Sequence, residues 1–413
     1  MWRILLEDFF GDLRTQKLRA FLTTFAITWG TIAIVLLLSF GEGLKRAINN
    51  GLVNAGDRMF MIWGGETATA FQGLPKGRHI RLMESDLELI QRSIPEVDLV
   101  SPSWGRTATI EHGKTRTTQF MEAVSPDFEE LRRMFPAAGG RFLDPKDMTE
   151  RKRVVFLGDS IAIRLFGKAD PVGQTVLIDR LPFTVVGHMK HKLQTSMNNG
   201  PDDQRIIIPA STYRTIYGPK TLDEMMVRPR DVAQAPMVKA RIYEVLGRRY
   251  QFDPTDKRAL AIWDFVEDGK MTLAIGLGVQ IFLGVVGGFT LLLAGVGVAN
   301  IMYVVVKERT REIGIRLALG ARRRHIMAQF TFEAVLLSFM GGTAGLLFSS
   351  AVVGLTLMVP KSSLAMEMIA NPVLSWPIAI MTVAILGTIG LAAGVFPARR
   401  AAALDPVESL RYE

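Results

Sequence analysis

Four stretches of this chain contain no aspartate, glutamate, lysine or arginine: residues 20–41, 271–306, 334–360 and 368–398. They run to 22, 36, 27 and 31 residues, each longer than the ~20 apolar residues needed to cross a bilayer as a helix. Inside hydrocarbon every backbone N–H and C=O must be satisfied within the segment, and a helix does this. The sequence predicts four transmembrane helices, at 20–41, 271–306, 328–360 and 374–398. Across 413 residues the chain is 48% hydrophobic and 22% charged, with a mean hydropathy of +0.22. That balance fits a membrane protein with a large water-exposed part. The first run resembles a secretion signal, but its apolar core is too long and no small-residue cleavage site follows Phe40. It reads as an uncleaved anchor.

Lysine and arginine in the short segments set the orientation. Residues 1–19 carry four, residues 307–327 seven and residues 399–413 three, whereas the loop from 359 to 373 has only Lys361. Both ends and the 307–327 loop are therefore expected in the cytoplasm. Residues 42–270, 229 in all, are then expected outside, which is enough chain for an independent core. Net charge is +6 over the three inner segments and +4 over the outer domain, of +9 in total. The basic pI follows topology, and nucleic acid is not expected as a partner. With no cysteine anywhere, disulfides, thiolate zinc and a cysteine nucleophile are excluded.

Trp2, Leu5, Leu6, Phe9, Phe10 and Leu13 recur at helical spacing in the 1–19 segment. This describes an amphipathic helix, lying either on the inner membrane surface or against a partner subunit. The 36-residue second run would be about 54 Å long as a helix, against ~30 Å of hydrocarbon. It is expected to project outward as a stalk through residues 263–270, as is residues 42–50 for the first span. The outer domain reads as mixed α and β in two lobes. A helix is expected at 85–93, and a hairpin at 107–111 and 115–120 around His112 and Gly113. Strands are expected at 154–157, 175–178, 183–186 and 206–208, with helices at 209–217 and 232–250.

Residues 108–115, A-T-I-E-H-G-K-T, fit a relaxed phosphate-loop pattern. That chemistry needs a helix after the loop, and here both flanks alternate like strands. His188 and His191 could be two metal ligands with Asp202 or Asp203, but a bare H-x-x-H specifies no third ligand, and two solvated histidines are the simpler reading. No H-E-x-x-H or G-x-S-x-G occurs, so nothing points to a hydrolase. The charge-free runs lack the mid-membrane ionisable groups of ion-coupled carriers. They do contain small-xxx-small pairs, Gly284/Gly288, Gly341/Gly345 and Gly390/Gly394. Such pairs either let helices approach closely or reflect the abundance of glycine in membrane helices.

The most informative stretch is the 307–327 loop. Seven basic residues, Glu308 and Glu312 are interleaved with Ile313, Ile315, Leu317 and Leu319. Anionic headgroups would attract the cations, but paired acids and regular apolar residues suit a protein groove better. Here the sequence resembles the permeases of the MacB/FtsX superfamily of ABC transporters. Their inner loop between the second and third spans reads much like E-R-T-R-E-I-G-I-R-x-A-L-G-A, a pattern this chain carries at 308–321. The tail from Phe396-Pro-Ala-Arg to Leu410-Arg-Tyr-Glu is similar to the family's closing motif. In the outer domain, Val154 to Gly158, Leu165-Phe-Gly, Asp170-Pro-Val-Gly173 and Phe183-Thr-Val-Val-Gly187 resemble a MacB-type periplasmic core.

The resemblance covers nearly the whole chain. It implies a bacterial inner-membrane protein with four transmembrane α-helices and a large α+β extracytoplasmic domain inserted between helices 1 and 2. Its order would be an inner helix (1–19), a span (20–41), the periplasmic core with stalk (42–270), and a second span (271–306). A coupling loop (307–327), a third span (328–360), a short outer loop (361–373), a fourth span (374–398) and an inner tail (399–413) would follow. The family implies a dimer with a second permease copy or a paralogue, in contact with membrane lipid. ABC ATPase subunits would drive it, so ATP and magnesium would sit on the ATPase and this chain would be no enzyme, with no catalytic residue and no metal. Glu308, Arg309, Arg311, Glu312, Ile313, Gly314, Ile315 and Arg316 would engage the ATPase. MacB carries its ATPase ahead of the first span, whereas 19 residues precede residue 20 here, so a stand-alone permease is expected. The implied activity is export of a hydrophobic, peptide or lipid-linked substrate by mechanotransmission, with a periplasmic adaptor and outer-membrane duct as further partners. The alternative is an FtsX-like regulator that activates a periplasmic cell-wall hydrolase. The 229-residue outer domain with its MacB-like motifs favours export.

Overall fold

Residues 17–56, 58–192, 198–359 and 371–403 are described in this computed structural model. They fall into two compact units, one comprising the described residues up to Ala47 and from Ala274 onward, the other Ile48–Leu273. The amphipathic pattern of residues 1–16, most of the 361–373 loop and the end of the closing motif, 404–413, lie outside the described residues.

Among the described residues of the first unit, four helices are long and apolar enough to cross a membrane. Helix α1 is Lys17–Ala55 and its last turns belong to the second unit. The other three carry the labels α8, α10 and α11 in chain order: Phe265–Glu308, Arg323–Leu357 and Trp376–Ala402. A short helix, Thr310–Ala318, stands between α8 and α10 and is α9. Many of the large apolar side chains on these helices, among them Phe282, Phe289, Leu293, Phe339 and Leu347, are exposed, as is expected of faces turned to lipid.

The second unit is built on one nine-stranded sheet. Its strands are β1 Phe60–Gly64, β2 Val97–His112, β3 Thr115–Val124, β4 Val154–Leu157, β5 Thr175–Ile178, β6 Leu181–His188, β7 Ile206–Pro209, β8 Glu224–Pro229 and β9 Leu260–Asp264. The helices between them are α2 Ser85–Ser93, α3 Phe128–Arg132, α4 Pro145–Thr149, α5 Asp159–Phe166, α6 Ala210–Tyr217 and α7 Ala235–Tyr250. At 16 residues β2 is long enough to serve three partners. Its first half pairs with β8, its second half with β3, and Ile110 and Glu111 reach β5. The pairings β2–β3, β3–β7, β7–β4, β4–β6, β6–β5 and β5–β2 thus close a ring, and β8, β1 and β9 extend from it. Residues 108–115 form the hairpin turn of β2 and β3, a geometry that offers no helix N-terminus to a phosphate.

Both faces of the sheet are covered. Along β4, Val155 and Leu157 join one apolar cluster while Val154 and Phe156 join another; along β7, Ile206 and Ile208 split from Ile207 in the same way. This is the period-2 alternation of a strand buried on both sides. The second cluster also contains Ala55 at the end of α1 and Phe265 at the start of α8. The chain turns from α1 into β1 at Gly56, whose φ of +124° an L side chain rarely adopts. Residues 263 and 264, expected to begin a helical stalk, instead close β9 against β1 with Phe60 opposite Asp264, and α8 starts one residue later. Backbone pairing with β1 outcompetes the helix there. Phe265 N–H donates to Met59 O at 3.1 Å.

Candidate functional site

The connection between α8 and α10 is a helix closed by its own turn chemistry. Helix α8 ends at Glu308, and Thr310 Oγ1 donates to Lys307 O at 2.8 Å. Helix α9 stops in a Schellman motif: Gly320 N–H donates to Leu317 O and Ala321 N–H to Arg316 O, both at 3.0 Å. Gly320 takes φ +89°, which explains the L-G-A ending of the motif. Gly320→Ala is expected to destabilise this turn by about 1 kcal/mol, visible as faster exchange of the backbone amides at positions 320 and 321.

The predicted coupling residues do not share one face. Ile313 and Gly314 are buried, Ile313 within the apolar cluster of the first unit. Glu308, Arg311, Glu312 and Ile315 are exposed, Arg309 half-buried, and Leu319 is 84% exposed. Arg316 is engaged internally, donating to Gln329 Oε1 at 2.8 Å and to Glu312 Oε1 at 2.6 Å. The outward apolar surface is thus Ile315 and Leu319, and Ile313 anchors the helix from beneath.

The glycine pairs differ from one another. A Cβ on Gly341 would stand 2.9 Å from Ile27 Cβ, and one on Gly345 2.6 Å from Thr31 Cβ. Thr28 Oγ1 donates to Gly341 O at 3.1 Å across the same contact. Gly390 and Gly394 abut Ser338 and Ala334, with a Cβ at 2.5 and 2.7 Å. On α8 the close approaches are instead at Gly287, 2.8 Å from Ile34 Cγ1, and at Gly295, against Ile389. Gly284 meets only Leu38 Cδ2 at 3.7 Å, and Gly288 meets nothing within 4 Å. The small-residue spacing thus identified the helix but not the glycines of closest approach. Gln280, inside the second charge-free run, bonds both Lys45 and Glu42 of α1 at 3.3 Å.

In the second unit, six charged residues are buried together. Glu122 on β3 lies on the face of Val124, and Glu224 on β8 on that of Met226, so both turn toward the second apolar cluster. Arg205 pairs with Glu122 and stands 3.1 Å from Asp202 Oδ1. Arg132 Nη2 donates to Asp202 Oδ1 at 2.7 Å, and Lys192 Nζ to Asp202 Oδ2 at 2.8 Å. Ser103 Oγ donates to Glu122 at 2.8 Å and Asn198 Nδ2 to Glu224 Oε2 at 2.9 Å. Burial pushes the Asp202 carboxyl up, but Arg132, Lys192 and Arg205 overcome it and hold the group well below the usual carboxylate range. Burial lowers the Lys192 ammonium to about 8 against the pull of Asp202. Burial, reinforced by Glu122, raises the Glu224 carboxyl to about 7. No sequence pattern announces this centre; its one trace is a glutamate inside the apolar end of β3 and an arginine directly before three isoleucines. Of the histidine pair, His191 Nδ1 bonds Asp159 Oδ2 at 2.8 Å, and among the described residues no cluster with metal-ligand character is found.

Residues 20–245 match the MacB-like periplasmic core domain and residues 284–406 the FtsX-like permease C-terminal family. Among curated relatives, the macrolide export ATP-binding/permease protein MacB of Bdellovibrio bacteriovorus is 30% identical over 99% of this chain and 61% of its own length. The pyoverdine export ATP-binding/permease protein PvdT of Pseudomonas syringae pv. tomato is 31% identical over 96% of this chain and 58% of its own. The chain thus spans about three-fifths of these relatives. The solved periplasmic region of MacB from Actinobacillus actinomycetemcomitans aligns with a TM-score of 0.43 at 17% identity, covering 55% of this chain and 97% of that one. With one family covering the sheet unit and another the last three spans with α9, the chain belongs to the MacB/FtsX family of ABC-type permeases.

Proposed function

We propose that this permease works in a bacterial inner membrane with both termini in the cytoplasm, coupling ATP hydrolysis by an ABC ATPase to movement of its sheet unit on the far side. The outcome is export of a hydrophobic, peptide or lipid-linked substrate, in keeping with relatives named for macrolide and pyoverdine export. The observation that carries this reading is α9. It is a short helix between two spans, fixed by a buried isoleucine below and a Schellman turn at its end, presenting Arg311, Glu312, Ile315 and Leu319 outward. Such a surface suits an ATPase groove with apolar walls and a charged rim. The absence of acidic, basic and histidine residues from the four apolar runs also fits a machine that does not pass ions or charged cargo through its spans.

Ile315→Asp combined with Leu319→Asp changes only exposed side chains and is expected to leave the fold intact. In a complex reconstituted in lipid with its ABC ATPase, it should reduce stimulation of ATP hydrolysis by about tenfold or more, the effect of losing an apolar anchor at an interface centre. Stimulation at the wild-type level would refute the assignment of α9.

A further inference from the structure

The end of α1 is fastened by charge as well as by apolar packing. Lys192 Nζ has three N–H donors, and three acceptors surround it: Asn54 O at 2.8 Å, Arg132 O at 2.6 Å and Asp202 Oδ2 at 2.8 Å. Asn54 is the penultimate residue of α1, where backbone carbonyls have no helical partner further on. Asp202 is held in turn by Arg132 and Arg205, Arg205 by Glu122 of β3, and Glu122 by Ser103 of β2. A continuous line of charge-assisted bonds thus runs from the last turn of a 39-residue helix to the two longest strands of the sheet.

Burying an ammonium costs several kcal/mol before its partners offset it, and an apolar side chain could have filled the same space. A greasy contact slides, whereas three directed bonds resist displacement in every direction. We propose that Lys192 is a positioning residue that locks the outer end of the first-span helix to the buried ionic centre, so that displacement of that helix is delivered to β2 and β3. This rests on the permease reading above, in which the helix is moved by nucleotide turnover.

The test uses the full chain reconstituted with its ABC ATPase in lipid nanodiscs, following ATP hydrolysis and amide hydrogen exchange together. Lys192→Met keeps the side-chain length and removes all three donors. In the wild type, turnover is expected to alter exchange in residues 20–47 and in residues 97–124. In the variant, hydrolysis and the response of residues 20–47 persist, and resting exchange of residues 51–56 quickens about tenfold, the scale of a lost charged hydrogen bond. The response of residues 97–124 disappears, while the β5–β6 hairpin exchanges as before. This split between intact hydrolysis and a silent sheet is what a merely structural lysine would not produce. A wild-type response of residues 97–124 in Lys192→Met overturns the proposal. A wild-type complex whose residues 20–47 do not respond to nucleotide overturns the permease reading instead, and the delivery of motion with it. If the methionine variant is not recovered folded, Lys192→Gln, which keeps two N–H donors on a shorter stem, is read by the same criteria with a partial loss expected.

Discussion

Arg205→Met is expected to lower the unfolding temperature of the sheet unit by about 10 °C or more. Removing one partner of a buried ion pair costs about 3–5 kcal/mol, because the other charge is left behind, and each kcal/mol is about 2–4 °C for a domain of this size. Three carboxylates surround Arg205 on the second face of the sheet: Glu122, Asp202 and Glu224. Asp202 would keep Arg132 and Lys192, but Glu122 would retain only the Ser103 hydroxyl from the bonds described above. Thermal melts of the full chain in detergent measure the effect. Adding Glu122→Gln to the same variant should restore part of the loss, since it removes the stranded charge, and a melt identical to wild type for Arg205→Met would show that the centre bears no stability.

The second large effect has the opposite sign. Glu224 holds its proton up to about 7, first because of burial and then because of the negative charge of Glu122. In the unfolded chain the same carboxyl ionises near its ordinary value of 4.5. Between these two values Glu224 binds more protons in the folded chain than in the unfolded one, so its contribution to stability falls as pH rises through this window and changes no further above it. Glu224→Gln removes the dependence and keeps a carbonyl oxygen for Asn198 Nδ2. At pH 8 it is expected to stabilise the sheet unit by about 3 kcal/mol relative to wild type, and at pH 4 to leave it unchanged. Unfolding temperatures of both proteins across pH 4 to pH 8 provide the comparison, and parallel curves would refute the assignment.

The parts of this molecule legible in its sequence are those governed by local rules. Charge-free length is sufficient to place the spans, because the bilayer imposes one length and one way to satisfy the backbone. The hairpin at His112 and Gly113 and the strands at 154–157, 175–178 and 206–208 follow from alternation and turn residues. What escaped depends on partners far along the chain. Strands β1, β8 and β9 are short and flank one another only after the chain returns across some 160 to 200 residues, and nothing local marks them. The ionic centre draws on residues 122, 132, 192, 202, 205 and 224, which in a chain with 22% charged residues read as ordinary surface positions. The segment around α9 illustrates the boundary between the two cases. Its helix and glycine stop follow from the motif, but that Ile313 turns inward and Leu319 outward is decided by packing against the neighbouring spans.

The ladder between β1 and β9 fixes the strands that follow α1 and precede α8. Five residue pairs, from Phe60 opposite Asp264 to Gly64 opposite Leu260, fix the two strands in step. A slip of one residue would reverse the faces of β1, moving Phe60 and Ile62 out of one core and Met61 out of the other. Sliding of β1 past β9 is therefore barred without unfolding this edge of the sheet.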